Sequence, residues 1–311
     1  MTAHVLELRG LGKTYGERVA VHALDLDVTR GEILGLLGPN GAGKTTTISM
    51  ACGVITPSRG SVVVGGVDLG RDPFAAKRKL GLVPQEIALY EELPAIENLR
   101  FFGALYGLAG AELAERIKWA LDVVGLADRA RDRVKTYSGG MKRRLNIAAG
   151  LVHKPELLIL DEPTVGVDPQ SRNHIFETVK ALSAGGMTVI YTSHYMEEVE
   201  ALCDRVAIMD GGKIVAIGSV GELVAQYAGA GYELTIAGDI EAVVRAAEPH
   251  ATVERVTGLD VVRIVPTGAL APVIAAIEAV ATIAEMRSRH ASLETAFLAL
   301  TGKALRDEGA S

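Results

Sequence analysis

Cysteines, aromatic side chains and long apolar runs are all scarce in this chain of 311 residues. Its two cysteines, Cys52 and Cys203, both lie in apolar contexts, which indicates buried thiols of a reducing compartment and excludes a disulfide framework. No stretch approaches the roughly 18 apolar residues of a membrane-spanning helix, and no charged-then-apolar signal peptide opens the chain. We therefore expect the polypeptide itself to be soluble.

A surplus of positive charge is missing as well. The formal net charge is -6, which argues against a protein whose main task is to coat nucleic acid. Aromatic residues contribute only 5%, yet apolar residues make up 49%, so Ala, Val and Leu can still fill a sizeable core. The length allows one large domain or two ordinary ones.

The pattern of elements divides the chain into two parts. In residues 1–225, strand-like segments bounded by Gly, Pro or Asp alternate with helical segments, which is typical of an α/β fold. Two of these segments, ELLILDEP and MTVIYTSH, are nearly continuous apolar runs, as in parallel strands buried on both faces. Residues 230–311 follow the order β-α-β-β-α-β and end in a further helix, and that order is typical of a ferredoxin-like unit. We predict an α/β domain over 1–225 and a small accessory α+β domain over 230–311.

The stretch GPNGAGKTT, residues 38–46, directly follows the apolar run EILGLL. It matches the phosphate-loop pattern G-x-x-x-x-G-K-[ST], whose backbone N–H groups cradle phosphate oxygens at the start of a helix. Lys44 should reach the β- and γ-phosphates, and the Thr45 hydroxyl should bind Mg²⁺. The motif alone leaves kinases, GTPases, motors and transport ATPases open, and a glycine-rich turn without a ligand is the alternative. The residues expected to contact the nucleotide here are Gly38, Pro39, Asn40, Gly41, Ala42, Gly43, Lys44, Thr45 and Thr46.

The segment ELLILDEPTVGVDP, residues 156–169, places two carboxylates, Asp161 and Glu162, after an apolar strand. Ligands of open α/β sheets bind at the edge where such strands end. Asp161 is suited to hold Mg²⁺ through water, because Mg²⁺ prefers oxygen ligands and keeps several waters. Glu162 would lie beside the γ-phosphate and polarise an attacking water. The alternative is a strand that simply ends in a solvated acidic turn.

The sequence YSGGMKRR, residues 137–144, comes one helix ahead of that strand. Ser138 is a good helix N-cap, and Gly139 and Gly140 expose backbone N–H groups, which together predict a second anion site. One nucleotide does not need both sites within one chain. We therefore expect two chains to face each other, each offering its SGG to the nucleotide on the other's phosphate loop. For the KRR of residues 142–144 we favour a solvated helix face over a contribution to anion attraction.

These elements, in this order, resemble the ATP-binding subunit of an ABC transporter throughout residues 1–220. The resemblance implies a P-loop NTPase of the ABC cassette type, with a mixed sheet core and a helical subdomain, that uses ATP and Mg²⁺. It also implies that Tyr15 in KTYGERVAV stacks on adenine, and that Gln85 in VPQE senses Mg²⁺ and the attacking water. Asp168 in VGVDP would belong to the loop that bridges the two subunits, and His194 in YTSHYMEE would contact the γ-phosphate.

Some letters depart from the family pattern. Tyr137 and Met141 replace the Leu and Gln of the common LSGGQ signature, but the Ser-Gly-Gly core is intact, so we expect its phosphate contacts to survive. Because Glu162 and His194 are both present, the resemblance implies a homodimer with two competent sites. The expected catalytic residues are Glu162, His194, Lys44 and Gln85. The expected Mg²⁺ ligands are Thr45, Gln85 and Asp161.

The resemblance further implies a separate membrane-spanning permease as partner, with this chain bound peripherally at the cytoplasmic face of the cell membrane. Residues 86–108 correspond to the groove that receives a short helix of the permease. Tyr90, Phe101 and Phe102 are candidate groove residues. Packing inside the helical subdomain is the alternative for Tyr90 and the favoured interpretation for the two phenylalanines.

A single cassette with an extra C-terminal α/β piece resembles exporters of the drug-resistance type, and SLETAFLALTG, residues 292–302, resembles their C-terminal helix. The implied function is ATP hydrolysis that powers efflux of a drug, a lipid or another small molecule or ion. An ABC-type ATPase acting on nucleic acid or ribosomes is also possible, but such proteins usually fuse two cassettes or insert a long coiled coil, and no nucleic-acid partner is expected. An importer ATPase stays open too, whereas Glu162 and His194 disfavour a non-catalytic nucleotide-binding protein.

Overall fold

The computed structural model describes residues 3–193, 195–228, 231–256, 259–289 and 291–302. These residues form sheets of four, six and four strands, with helices packed against them. Within the described ranges, no helix has both the length and the apolar character that crossing a bilayer requires.

The strands are, in chain order, β1 (His4–Tyr15), β2 (Arg18–Thr29), β3 (Ile33–Leu37), β4 (Arg59–Val64), β5 (Val67–Asp68), β6 (Leu80–Val83), β7 (Leu157–Asp161), β8 (Thr188–Thr192), β9 (Arg205–Asp210), β10 (Lys213–Gly218), β11 (Gly231–Ala237), β12 (Ala251–Val256), β13 (Val261–Pro266) and β14 (Thr282–Arg289). The helices are α1 (Lys44–Ala51), α2 (Pro73–Arg78), α3 (Ala95–Leu105), α4 (Gly110–Val123), α5 (Gly139–Leu151), α6 (Pro169–Ala184), α7 (Met196–Leu202), α8 (Val220–Tyr227), α9 (Ile240–Ala247), α10 (Leu270–Glu278) and α11 (Leu293–Thr301). Two short 3₁₀ turns, Ala127–Arg129 and Val134–Thr136, connect α4 to α5.

The six-stranded sheet has the order β10-β9-β3-β8-β7-β6, and its strands are parallel except for the antiparallel β10 at one edge. All five residues of β3 and of β8 are buried, as are the first four of β7. The prediction of parallel strands buried on both faces is therefore confirmed for the ELLILDEP and MTVIYTSH segments. Because β3 and β7 are parallel, the phosphate-loop segment and the two carboxylates emerge at the same edge of the sheet.

The antiparallel sheet, of order β2-β1-β4-β5, covers a second apolar core with the phosphate-loop helix α1. Tyr15, the last residue of β1, pairs with Arg18, the first of β2, so the tyrosine lies at the tip of a tight hairpin. Helices α3, α4 and α5 pack against one another as a helical subdomain. In α4, Leu113, Ile117 and Leu121 share one face of the helix and are buried, and Gly125 follows the helix with φ of 64°.

Residues 231–289 form the third sheet, with the order β12-β13-β11-β14 and antiparallel pairs throughout. Helices α9 and α10 pack on it around a separate apolar core. The last helix, α11, instead packs against α7 and α8, and its Leu293 and Phe297 join the core of the first part of the chain. The Glu200 carboxylate on α7 also accepts a hydrogen bond from the Leu293 N–H at 2.8 Å.

Candidate functional site

The loop between β3 and α1 needs glycine for two reasons. Gly41 and Gly43 have φ of 79° and 101°, in the left-handed region that side chains disfavour. At Gly38 a Cβ atom would lie 2.5 Å from the Met209 carbonyl oxygen of the neighbouring strand. A side chain at Gly38 or Gly43 would therefore clash with neighbouring backbone, and these glycines permit the tight turn at the N-terminus of α1.

Lys44 lies inside this loop. It is only 8% exposed, and its ammonium group donates hydrogen bonds to the carbonyl oxygens of Gly38 and Pro39. Burial lowers the pKa of Lys44, while the charges of Glu162 and Asp161 act in the opposite direction. The positive charge of the loop therefore lies next to the acidic end of β7.

An open cleft of about 850 Å³ lies over the loop. Tyr15, Gln85 and Glu162 line it together with residues 40–46, so residues far apart in the sequence meet around one volume. Tyr15 is half exposed, and the Lys13 ammonium lies 5.1 Å from its ring centroid. The cleft therefore offers an aromatic face, a cradle of backbone N–H groups and an acidic side chain.

Thr192, at the end of β8, is hydrogen-bonded to both acidic residues that follow the apolar run of β7, Asp161 and Glu162. Its fully buried hydroxyl donates to Oδ1 of Asp161 at 2.7 Å and accepts a hydrogen bond from the Glu162 N–H at 2.9 Å. Glu162 is 8% exposed and has φ of 50°, a conformation in which non-glycine residues are uncommon. This strain at a cleft residue is typical of a functional position whose surroundings fix the backbone.

Glu198 of α7 forms a second buried polar centre behind the cleft. Its Oε2 atom accepts hydrogen bonds from Thr164 and Tyr191 at 2.9 Å and from Ser193 at 2.6 Å. The Arg172 guanidinium of α6 lies 3.5 Å from the other carboxylate oxygen. Burial, and next the charge of Glu198, raise the pKa of Tyr191 well above its usual value. One carboxylate thus ties together the loop after Glu162, the end of β8 and two helices.

The Ser-Gly-Gly segment begins α5, as predicted. Ser138 caps the helix by accepting a hydrogen bond from the Met141 N–H at 3.2 Å, and both Ser138 and Gly139 are exposed. Gly140 packs against the start of α6, where Asp168 caps the helix through the Ser171 N–H at 3.0 Å. That hydrogen bond from Ser171 is the main cause of a lowered pKa of Asp168. Among the residues described, the lining of the phosphate-loop cleft includes none of the Ser-Gly-Gly residues.

Tyr137, which replaces the leucine of the common signature, is 5% exposed, and its hydroxyl donates to the Arg129 carbonyl oxygen at 2.7 Å. The Tyr137 ring therefore fills apolar space in the helical subdomain, and its polar end has an acceptor. The predicted catalytic residue His194 lies outside the described residues.

Two interpretations of the helical subdomain are wrong. Phe101 is not a core residue: it is 41% exposed and packs edge-to-face on the half-exposed Tyr90, with ring centroids 5.1 Å apart. Phe102 is partly buried against the core, as favoured.

The KRR of residues 142–144 is not a solvated face either, since Arg143 is 5% exposed. Lys142 is ion-paired with Glu91 at 2.6 Å, and Arg144 donates to the carbonyl oxygen of Val124.

Comparison with known proteins gives the class of this site. A family model described as "ABC transporter" matches residues 21–165. The linearmycin resistance ATP-binding protein LnrL of Bacillus subtilis is 48% identical over 311 residues, covering 97% of this chain and 100% of the relative. The Nod factor export ATP-binding protein I of Cupriavidus metallidurans is 39% identical over 307 residues, covering 99% and 100%. A solved structure of an ATP binding subunit of an ABC transporter is 31% identical, with a TM-score of 0.66 over 72% of this chain and 93% of that chain.

Fold and cleft thus define a nucleotide-binding cassette built on a phosphate loop. The chain belongs to the ABC transporter family, as an ATP-binding subunit that hydrolyses ATP to power transport.

Proposed function

We propose that the chain hydrolyses ATP to drive an ABC exporter, working as a pair of identical subunits on a separate permease. The direction of transport is supported by the two relatives described above, since one is a resistance protein and the other an export protein. The transported substance is a drug, a lipid or another small molecule or ion, which this subunit does not itself contact.

The observation that carries the proposal is the cleft shared by Tyr15, the phosphate loop, Gln85 and Glu162. Tyr15 stacks on adenine, and residues 38–46 hold the phosphates with Lys44 at the β- and γ-positions. Glu162 polarises the water that attacks the γ-phosphorus atom, so that a new P–O bond to water replaces the bond to the β-phosphate oxygen. The family resemblance further assigns Gln85 to Mg²⁺ and the attacking water, and His194, which lies outside the described residues, to the γ-phosphate.

Mg²⁺ fits the oxygen donors of Thr45 and Gln85, which line the cleft, and of Asp161 at the adjacent end of β7. Thr45, Gln85 and Asp161 offer hydroxyl, amide and carboxylate oxygens, which are the hard ligands that Mg²⁺ prefers. In the described residues there is no cluster of three or more His, Cys, Asp and Glu side chains suited to a metal. We propose that these three residues hold Mg²⁺ together with phosphate oxygens and water, as is usual for this ion. When bound, the ion neutralises developing phosphate charge.

The exposed Ser138 and Gly139 support the dimer, because their N–H groups at the start of α5 are accessible to an anion and do not line the phosphate-loop cleft of the same chain. In the dimer each ATP lies between one chain's Lys44 and the other chain's Ser-Gly-Gly, with Asp168 in the bridging loop. Loss of the γ-phosphate removes this bridge and lets the subunits separate.

The permease binds the apolar groove between α2, α3 and α5. Phe74, Phe102 and Tyr106 line this groove, whose volume is about 350 Å³, and the exposed Tyr90 and Phe101 extend the aromatic surface. The chain is therefore held peripherally at the cytoplasmic face of the membrane through its partner.

The accessory domain that we propose spans residues 230–311, of which 231–256, 259–289 and 291–302 are described. Its order β11-α9-β12-β13-α10-β14, with β11 and β13 adjacent at the centre, supports a ferredoxin-like fold. Helix α8 ends at Tyr227, just beyond the proposed end of the cassette at residue 225, so the boundary between the two domains lies close to the end of α8. Helix α11 anchors the domain by packing on α7 and α8.

A Glu162→Gln variant tests the proposal, because an amide cannot polarise the water but leaves the cleft in place. We expect the wild-type chain to release phosphate from ATP with Mg²⁺, and the variant to be inactive yet dimeric in ATP by light scattering. Adding Ser138→Ala should abolish that ATP-dependent dimer without loss of folding, monitored by thermal melting. Glu197→Gln, the same change at an exposed position of α7, is the matched control. Phosphate release that persists in Glu162→Gln, or a dimer indifferent to ATP and to Ser138, would refute the proposal.

A further inference from the structure

Arg143 is a buried charge in the first turns of α5, the helix that Ser138 caps. Its side chain is 5% exposed although it sits between two other cations in the sequence. Burial lowers the pKa of Arg143, while the nearby charge of Glu162 opposes this shift. A guanidinium group that loses its water in this way needs a specific set of acceptors.

The acceptors are backbone carbonyl oxygens from two separate loops. Nη1 donates to Gln85 at 2.6 Å and to Pro84 at 3.3 Å, and Nη2 donates to Val165 at 3.5 Å. Residues 84 and 85 follow β6, whereas Val165 lies three residues after Glu162. The planar fork of one arginine therefore spans from the loop of Gln85 to the loop of Glu162, which a lysine ammonium at this position would not do equally well.

Asn146, one turn further along the same face of α5, strengthens the first of these links. Its Nδ2 atom donates to the carbonyl oxygens of Pro84 at 3.4 Å and Glu86 at 3.5 Å, and its Oδ1 atom accepts from the Ala88 N–H at 3.3 Å. Residues 84–88 have no regular secondary structure. Hydrogen bonds from the side chains of Arg143 and Asn146 on α5 therefore hold residues 84–88 in place, because this loop is in no helix or strand that could do so.

We infer that Arg143 is a positioning residue for ATP hydrolysis, which holds Gln85 and the loop after Glu162 in one fixed relation. The inference rests on the proposed roles of Gln85 and Glu162. Arg143 does not line the phosphate-loop cleft and acts through the backbone of Gln85. Because the same helix begins with Ser138, the Gln85 loop of one ATP site is also fixed to the segment offered to the other site.

The test is a double-mutant cycle between Arg143→Met and Gln85→Ala in the purified full-length chain. Arg143→Met should lower kcat for ATP hydrolysis by about tenfold, as expected for losing charged hydrogen bonds, and leave KM for ATP within about twofold. In the Gln85→Ala background the same change should cost less than about twofold, because the two residues act as one unit. Lys142→Met, the same charge removal one position earlier, should leave kcat and KM at wild-type values.

Three outcomes separate the possible failures. If Arg143→Met folds and hydrolyses ATP at the wild-type rate, or if its loss is equally large with Gln85→Ala, the positioning role is wrong. If Arg143→Met does not fold, Arg143→Lys repeats the cycle with the charge kept and the fork lost, and the same criteria apply. If the wild-type chain itself releases no phosphate from ATP, the proposed function fails, and the role of Arg143 in hydrolysis fails with it.

Discussion

A Cβ atom added at Gly140 would overlap the Oγ atom of Ser171, at the point where α5 and α6 begin. The Asp168 carboxylate is also close, at 3.3 Å from the same position. The Ser-Gly-Gly segment and the start of α6 at Asp168 and Ser171 are therefore packed in direct contact, and Gly140 is needed for that contact irrespective of any ligand.

Gly140→Ala is accordingly expected to force α5 and α6 apart and to lower the free energy of unfolding by about 1–3 kcal/mol, as overpacking does. Urea denaturation measures the loss. Gly139→Ala is the matched control, because nothing lies within 4 Å of its Cβ position. Ser171→Gly should restore much of the stability of Gly140→Ala, since it removes the clashing atoms and keeps the N–H that Asp168 accepts from. A Gly140→Ala chain as stable as Gly139→Ala would contradict the packing described.

Glu198→Ala should lower the free energy of unfolding on the order of 3–5 kcal/mol, because it leaves the Arg172 charge and three hydroxyl donors without their acceptor. Glu198→Gln keeps one acceptor oxygen and should cost less. The measurement is again equilibrium unfolding, with the exposed Glu197→Ala on the same helix as reference. Equal stabilities for the Glu197 and Glu198 variants would show that the buried hydrogen bonds contribute nothing net.

Phe297→Ala tests whether α11 belongs to the core of the cassette. Its ring is 1% exposed, so truncation should cost about 3–5 kcal/mol, as for other buried phenylalanines. Phe74→Ala removes the same atoms from a position that is 63% exposed and should leave the unfolding transition almost unchanged. If α11 were a separate appendage, Phe297→Ala would leave the unfolding of the cassette where it is in the wild type.

His153 should make stability depend on acidity. Its ring stacks on Tyr106 with centroids 3.6 Å apart, and burial lowers the pKa of His153 from its usual 6.5 to about 4. Because the folded-state pKa lies below the unfolded one, unfolding takes up a proton in this window. The free energy of unfolding therefore falls by about 3 kcal/mol as the pH drops from 6.5 towards 4, and is unaffected by this group above 6.5.

The comparison is made between the wild type and His153→Gln, by urea denaturation at several pH values. The free energy of unfolding of the variant should fall less steeply between pH 6.5 and 4 than that of the wild type. Identical slopes in the two proteins would mean that His153 is not kept neutral by the fold.

The sequence is sufficient where chemistry depends on local pattern. The roles of Gly38 and Lys44 are predictable because the strand, the loop and the helix of the phosphate-loop motif are contiguous in the sequence. The burial of β7 and β8 is predictable because each is a continuous apolar run. The prediction of Tyr15 as a cleft residue depends on family resemblance, since a lone tyrosine carries no pattern.

The residues that sequence reasoning missed take their surroundings from distant segments. Arg143 has the pattern of a surface charge until the carbonyl oxygen of Gln85, 58 residues away, supplies its acceptor. Thr192 and Glu198 gain their partners only when β7, β8 and α7 meet. For Arg143 a signal did exist: it lies on the same helical face as Gly140 and Ile147, both buried.

Helix α11 supplies part of the inner packing of a cassette whose phosphate loop lies near the other end of the chain. During synthesis on the ribosome, residues 1–225 leave the exit tunnel well before residues 293–301 do. A growing chain can therefore form its sheets early but cannot complete the interior behind α7 until translation is almost finished. A product cut short before α11 would leave exposed to water the apolar surface of α7 and α8 that this helix otherwise covers.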